Sequence, residues 1–390
     1  MNVGQAIAEA LRREGVEILT GYPVNHLIET AAALGIRPIM VRQERIGLHM
    51  ADAISRVTAG RQIGVFCMQH GPGVENSYGG VAQAFGESVP VLVVPMGYAR
   101  RLAHVAPNFH AATALRDVVK HAEPVWLAAE LPNILRRAFT ALRNGRGGPV
   151  LLEVPGDVWN AEVPEPFDYT PAITARYAPD PTDVKRAARM LAEAKRPVIY
   201  AGTGIHWARA WPGLQHLAET LAAPVTTSLG GKSAFNEEHP LSLGSGGLAI
   251  PRPVRHFLDA ADVVLGIGCS FTETSFGVRM PRGPRFIHAT LDPAHLNKDL
   301  RAEIGLVGDA ALTLDALLTE LRDLAPRDPT PVAAEIDAVR APWLAEWMPK
   351  LTSEETPLNP YRVLWELQKA VDRDRCIITH DAGSPRDQLT

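Results

Sequence analysis

Cysteine is nearly absent from this chain. Its three cysteines in 390 residues, Cys67, Cys269 and Cys376, lie far apart in or beside apolar runs. They have neither metal-ligand spacing nor the density of a disulfide framework, so buried free thiols in a reducing compartment are expected. Long hydrophobic runs are also missing, and none approaches the roughly 20 residues needed to span a bilayer. There is no basic excess: 39 Lys and Arg stand against 43 Asp and Glu, a formal net charge of −4. That balance excludes a field for nucleic-acid backbones. The pairs Arg100-Arg101 and Arg136-Arg137 read as solvated faces. The opening residues, with Glu9, Arg12, Arg13 and Glu14, read as an amphipathic helix and not as a signal peptide. A cytoplasmic protein with no membrane or nucleic-acid partner is expected.

What is present is ordinary enzyme composition, 46% apolar and 21% charged, in a chain long enough for about two or three domains. Helical periodicity at Val3, Ala6, Ile7, Ala10 and Leu11 is followed by a short strand stopping at Gly21-Tyr-Pro23. Strands are then expected at 38–41, 62–68, 89–95 and 149–154, with helices at 46–58, 75–85 and 131–143 between them. The uniformly apolar 89–95 run fits a buried parallel strand. This alternation predicts an α/β fold of successive doubly wound parallel-sheet domains. A proline-rich stretch follows, then a second α/β unit with strands at 197–201, 225–228, 263–266 and 286–290. Trp343 and Trp347 lie four apart in a helical stretch and read as a packing pair. A helix at 361–371, a strand at 376–379 and the turn Asp381-Ala-Gly383 repeat the opening order of the first unit.

Few residues carry a chemical signal. Glu44 stands between an apolar strand and an amphipathic helix. There a partly desolvated carboxylate can exchange a proton, but from position alone a helix-start glutamate held by the macrodipole is the better fit. His70-Gly-Pro-Gly73 ends a strand and opens a helix that carries Asn76 in its first turn. Glycine permits close ligand approach and the helix start offers free N–H groups, yet an ordinary βα turn has the same pattern. His70 is a candidate acid/base or a structural histidine. Gly202-Thr-Gly204 is half of a dinucleotide fingerprint, without its third glycine or acidic residue in place.

Taken together, the motifs resemble the thiamine-diphosphate-dependent enzymes of the acetolactate synthase and benzoylformate decarboxylase group. They run in the order Arg42-Gln-Glu44, His49-Met-Ala-Asp52, His70-Gly-Pro-Gly-Val-Glu-Asn76, Ser88-Val-Pro-Val-Leu92 and Glu153-Val-Pro-Gly-Asp157. The second unit continues with Arg196-Pro-Val-Ile-Tyr-Ala-Gly202, Gly231-Lys-Ser-Ala-Phe235, His239-Pro240, Gly266-Ile-Gly268, Leu291-Asp-Pro293 and Val307-Gly-Asp309. The resemblance implies a pyrimidine-binding domain at 1–160, a linker at 161–182 and a central α/β domain at 183–324. A linker and helix at 325–359 and the beginning of a truncated diphosphate-binding domain at 360–390 follow. It implies that Glu44 is the glutamate that hydrogen-bonds the aminopyrimidine ring and serves the proton relay activating the thiazolium carbon. By the same analogy Gly21, Tyr22, Pro23, Gly73 and Asn76 line the cofactor cleft, and His70 takes the place of an active-site histidine found in several decarboxylases.

The implied activity makes or breaks a C–C bond next to a carbonyl, on a 2-oxo acid or 2-hydroxyacyl substrate, in a homodimer or tetramer. Magnesium is implied, with its ligands beyond residue 390 and none within the chain. Three departures bear on this. Pro107-Asn-Phe-His110 stands near where many synthases carry Phe-Gln-Glu. Gly268-Cys-Ser-Phe271 lacks the arginine of flavin-binding members, so flavin is expected to be absent or weakly held. His70 leans the expectation toward a decarboxylase or lyase. The alternative is a non-catalytic or half-site polypeptide without the diphosphate anchor, keeping at most a nucleotide or coenzyme A site in the central domain.

Overall fold

The computed structural model describes residues 1–385, which form two compact units, Met1–Arg176 and a second beginning at Tyr177. The first opens with α1 (Val3–Arg13), started by a capping box in which Asn2 and Gln5 satisfy each other's backbone N–H at 2.9 and 3.0 Å. Then come β1 (Ile18–Gly21), α2 (Leu27–Ala33), β2 (Arg37–Met40), α3 (Glu44–Val57), β3 (Gly64–Met68) and α4 (Pro72–Gly86). The unit ends with β4 (Val91–Gly97), α5 (Ala111–Ala114), β5 (His121–Pro124), α6 (Leu131–Arg143) and β6 (Val150–Pro155). Its six strands are all parallel, in the order β2-β1-β3-β4-β6-β5. From β1 the chain goes to β2 on one side and to β3 on the other. That reversal opens a crevice at the carboxyl ends of β1 and β3, where open α/β sheets bind ligands.

The all-apolar β3 and the inner part of β4 are buried on both faces, as covered parallel strands must be. Close contact between α3 and β3 depends on Gly64, since a Cβ there would sit 1.8 Å from the Ala51 carbonyl oxygen. Thr20 adds a polar tie, its hydroxyl donating to the carbonyls of Gly47 at 2.8 Å and Val65 at 3.0 Å. The Thr20–Gly47 bond fixes the first turn of α3, where Glu44 lies, and the Gly64 contact seats the helix further along, at Ala51.

The segment expected as a 161–182 linker is docked on the first unit as far as Arg176. Val163 and Tyr169 are buried. Glu14, at the end of α1, accepts from the Tyr169 hydroxyl at 2.7 Å, from Ala172 N at 2.8 Å and from Arg143 Nε at 2.7 Å. The proline-rich composition had concealed these anchors.

The second unit contains α7 (Pro181–Glu193), β7 (Pro197–Ala201), α8 (Gly204–Ala208), α9 (Trp211–Leu221), β8 (Val225–Thr227) and β9 (Ser242–Ser245). It continues with α10 (Arg252–Ala260), β10 (Val263–Ile267), β11 (Arg285–Thr290), β12 (Ile304–Val307), α11 (Ala310–Glu320), α12 (Thr330–Leu351) and α13 (Pro360–Ala370). Its sheet is again parallel, in the order β12-β11-β10-β7-β8-β9. Helix α12 joins this unit through the buried Ile336 and the Arg252–Glu346 and Arg196–Glu335 ion pairs. Trp347 packs edge-on against Tyr361, with ring centroids 5.1 Å apart.

Two expectations fail in this unit. Residues 376–379 form no strand, because no neighbouring strand among the described residues offers them a ladder, and Ile377 is 92% exposed. Cys376 is exposed, not buried like Cys67 and Cys269.

Candidate active-site cleft

Three loops meet at the crevice of the first sheet. Leaving β1, the chain is held on both sides: Tyr22 N donates to the Cys67 carbonyl and Val41 N to the Gly21 carbonyl, each at 3.0 Å. Asn25, which sequence reasoning missed, is 5% exposed and brackets the strand ends. Its Nδ2 donates to the carbonyls of Met68 at 2.9 Å and Val94 at 3.0 Å, and its Oδ1 accepts from Leu27 N at 3.0 Å. A polar residue two positions after Pro23 was the available signal.

Glu44 is the first residue of α3 and only 5% exposed. Its Oε2 accepts from Asn76 Nδ2 at 3.3 Å, a hydrogen bond that joins two of the sequence-predicted residues. A helix-start glutamate usually reaches water; this one is enclosed and faces a second polar side chain across the crevice. The third loop contains Gly71, at φ +58°, and Pro72 as the first residue of α4. A Cβ on Gly73 would come within 3.0 Å of Gln69 Cγ, so that glycine permits the tight strand-to-helix passage. His70 contacts Tyr98, the rings edge-on with centroids 4.5 Å apart, and its Nδ1 is buried without a partner. Glu44, Asn76, Gly21, Tyr22, Pro23, His70 and Gly73 thus share the carboxyl edge of one sheet, although no contact joins His70 to Glu44.

Further along this edge, Glu153 in β6 is 2% exposed. Burial pushes its carboxyl up from the ordinary value, against the pull of the Ala112 and Ala111 backbone N–H groups and His110. Among the described residues no group of three or more His, Cys, Asp or Glu could hold a metal ion.

In the second unit, Gly202 N donates to the Ile267 carbonyl at 2.9 Å and Gly204 N to the Gly268 carbonyl at 2.8 Å. The half-fingerprint loop therefore spends these amides on its neighbouring loop. Phe271 lies over Gly266 and stacks with Tyr200 at 5.7 Å. Burial pushes the Cys269 thiol beneath this cluster up to about 12. No helix of the described residues is long and apolar enough to cross a membrane.

Comparison with known proteins agrees with this layout. Residues 1–121 match the N-terminal TPP binding domain of thiamine pyrophosphate enzymes, and residues 184–317 match the central domain. A probable acetolactate synthase large subunit from Methanocaldococcus jannaschii is 31% identical over 98% of this chain and 67% of that protein. The Escherichia coli K12 acetolactate synthase isozyme 3 large subunit is 29% identical over 97% of this chain and 68% of its own length. A glyoxylate carboligase from Escherichia coli O157:H7 is 31% identical over 97% of this chain and 65% of that protein. Two domain matches in family order, together with relatives aligned along nearly the whole chain, make the protein a member of the thiamine pyrophosphate enzyme family.

Proposed function

We propose that this chain carries the pyrimidine half of a thiamine-diphosphate site and serves C–C bond formation next to a carbonyl, with a 2-oxo acid as substrate. One observation carries the reading: a buried glutamate, Glu44, at the switch-point crevice, with Asn76 as its hydrogen-bond partner. The residues present fit the aminopyrimidine end of the cofactor. Glu44 supplies an enclosed carboxylate, Gly73 keeps the loop close, and His70 Nδ1 is a buried polar atom awaiting a partner.

When bound, the cofactor supplies an electron sink for the carbanion chemistry of the acyl donor. The chain's own part is to hold and move a proton at Glu44 Oε, to orient that carboxylate through Asn76, and to exclude water behind β1 and β3. Gly21, Tyr22 and Pro23 form the opposite wall. Acetolactate synthase and glyoxylate carboligase relatives favour carboligation over the simple decarboxylase or lyase outcome suggested by His70. Magnesium and the diphosphate are assigned to residues outside those described. A homodimer or tetramer and a cytoplasmic location complete the proposal, together with a pyrimidine domain, a central domain and the start of a diphosphate domain in chain order. No flavin role is assigned to the central unit, where Gly268-Cys-Ser-Phe271 offers no arginine.

The test is Glu44→Gln in the active enzyme with pyruvate and with glyoxylate. Turnover is expected to fall by about a hundredfold or more, the scale of a lost acid/base group. Near-normal turnover would remove Glu44 from the chemistry.

A further inference from the structure

The helix that carries Glu44 starts without the usual local support. Gln43 stands at the N-cap of α3 with extended backbone but makes no side-chain cap bond. The first bond of the ladder, from Gly47 N to the Gln43 carbonyl, is long at 3.3 Å, and so is the Asn76 bond to Glu44 Oε2 at 3.3 Å. A helix start of this kind frays unless something outside the helix holds it.

Thr20, in β1, supplies that hold from beneath. It is fully buried. Its single hydroxyl proton is shared between the carbonyls of Gly47, at 2.8 Å, and Val65, at 3.0 Å, which ties α3 to β3 at one point. The lack of a side chain at Gly47 lets the turn come this close, since a Cβ there would lie 2.5 Å from Phe66 Cε2 and 2.9 Å from Val41 Cγ2. Gly47 and Glu44 are three residues apart and share a helix face, so the seat of one sets the height of the other. The Thr20 hydroxyl is spent on the two carbonyls and acts on Glu44 through the backbone of α3.

We propose that Thr20 is a positioning residue: through the Gly47 carbonyl it holds the first turn of α3 so that the Glu44 carboxylate stays enclosed beside Asn76. The inference rests on the function proposed above and deepens it. Glu44 moves the cofactor's proton, and Thr20 fixes the place at which that proton is held. Threonine is common in strands, so nothing in the sequence marked this one.

The experiment compares Thr20→Val, which keeps the shape and removes the hydroxyl, with Thr20→Ser, which keeps a hydroxyl. Both are made in the active enzyme with and without Glu44→Gln. Amide hydrogen exchange along α3 is measured before thiamine diphosphate is added. Solvent exchange of the thiazolium carbon proton is then measured at full cofactor occupancy, without substrate. Thr20→Val should speed amide exchange at residues 47–51 about five- to tenfold, the scale of one buried hydrogen bond, and leave residues 54–57 unchanged. It should slow the thiazolium proton exchange by about the same factor. Thr20→Ser should stay within about twofold of the wild type in both quantities. In the Glu44→Gln background Thr20→Val should slow the proton exchange no further, because the group it positions is gone. Unchanged amide or proton exchange in Thr20→Val overturns the proposal. So does a loss that Thr20→Ser fails to recover, or an equal slowing in both backgrounds, which marks a general structural defect. Absence of catalysed proton exchange in the unmodified enzyme overturns the functional reading first, and this inference with it.

Discussion

Asn76 Nδ2 lies 3.3 Å from Glu44 Oε2, joining the second turn of α4 to the first residue of α3 across the crevice between two strand ends. A carboxylate enclosed at this point has few other partners, so the amide decides which way it faces. Asn76→Ala is expected to lower turnover about tenfold, the scale of a hydrogen bond to a charged group. Because Asn76 is exposed, thermal stability should hardly change. Steady-state kinetics and a melting curve check both halves; unchanged turnover would mean that Glu44 is oriented by its helix alone.

The Glu14 cluster predicts a stability effect with no direct effect on chemistry. Its side chain is fully enclosed and accepts from Arg143, Tyr169 and Ala172. Removing one partner of a buried pair strands the other. Glu14→Ala should therefore cost about 3 kcal/mol, and Tyr169→Phe about 1 kcal/mol, in urea unfolding. A loss in Glu14→Ala no larger than in Tyr169→Phe would deny that Glu14 anchors the segment after β6.

His288 predicts an acid-sensitive contribution. Burial lowers its pKa from 6.5, partly opposed by the hydrogen bond to the Cys269 carbonyl and aided by the Lys298 charge. The unfolded chain then binds the proton more readily than the folded one. The contribution is present above the unfolded value and is lost as pH falls through the lowered folded value. The stability advantage of the wild type over His288→Asn should shrink as pH is lowered from about 7.5 to about 5, across the ordinary histidine range. An advantage that grows on acidification would reverse the assignment.

Thiol accessibility separates the cysteines. Burial pushes the thiols of Cys67 and Cys269 well up, whereas Cys376 is exposed. In the native 390-residue chain a thiol reagent should label Cys376 rapidly and reach the other two only after unfolding. Rapid labelling at Cys67 would contradict the packing of β3 against β1 and β4.

Strands that are apolar throughout announced themselves in the sequence, as β3, β4, β7 and β10 did, because both of their faces are covered. The edge strands β5 and β9 did not. His-Ala-Glu-Pro and Ser-Leu-Gly-Ser have no apolar run, and each is defined by one neighbouring strand. Glu44 and Asn76 were legible as members of an ordered set of motifs, but their contact depends on how α3 and α4 are seated. Asn25 and Glu153 were hidden for a related reason. Their meaning lies in partners 41 to 69 residues away, such as Ala112 for Glu153 and Val94 for Asn25. At 376–379 the opposite occurred, where an apolar pattern promised a strand that has no partner among the described residues.

The proposed proton transfer at Glu44 would show itself in the solvent exchange of the thiazolium carbon proton of the bound cofactor, measured without substrate. Fast exchange is expected in the active enzyme and a rate at least about a hundredfold slower in Glu44→Gln, with thiamine diphosphate still bound. Equal exchange rates in the two proteins at full cofactor occupancy would contradict it.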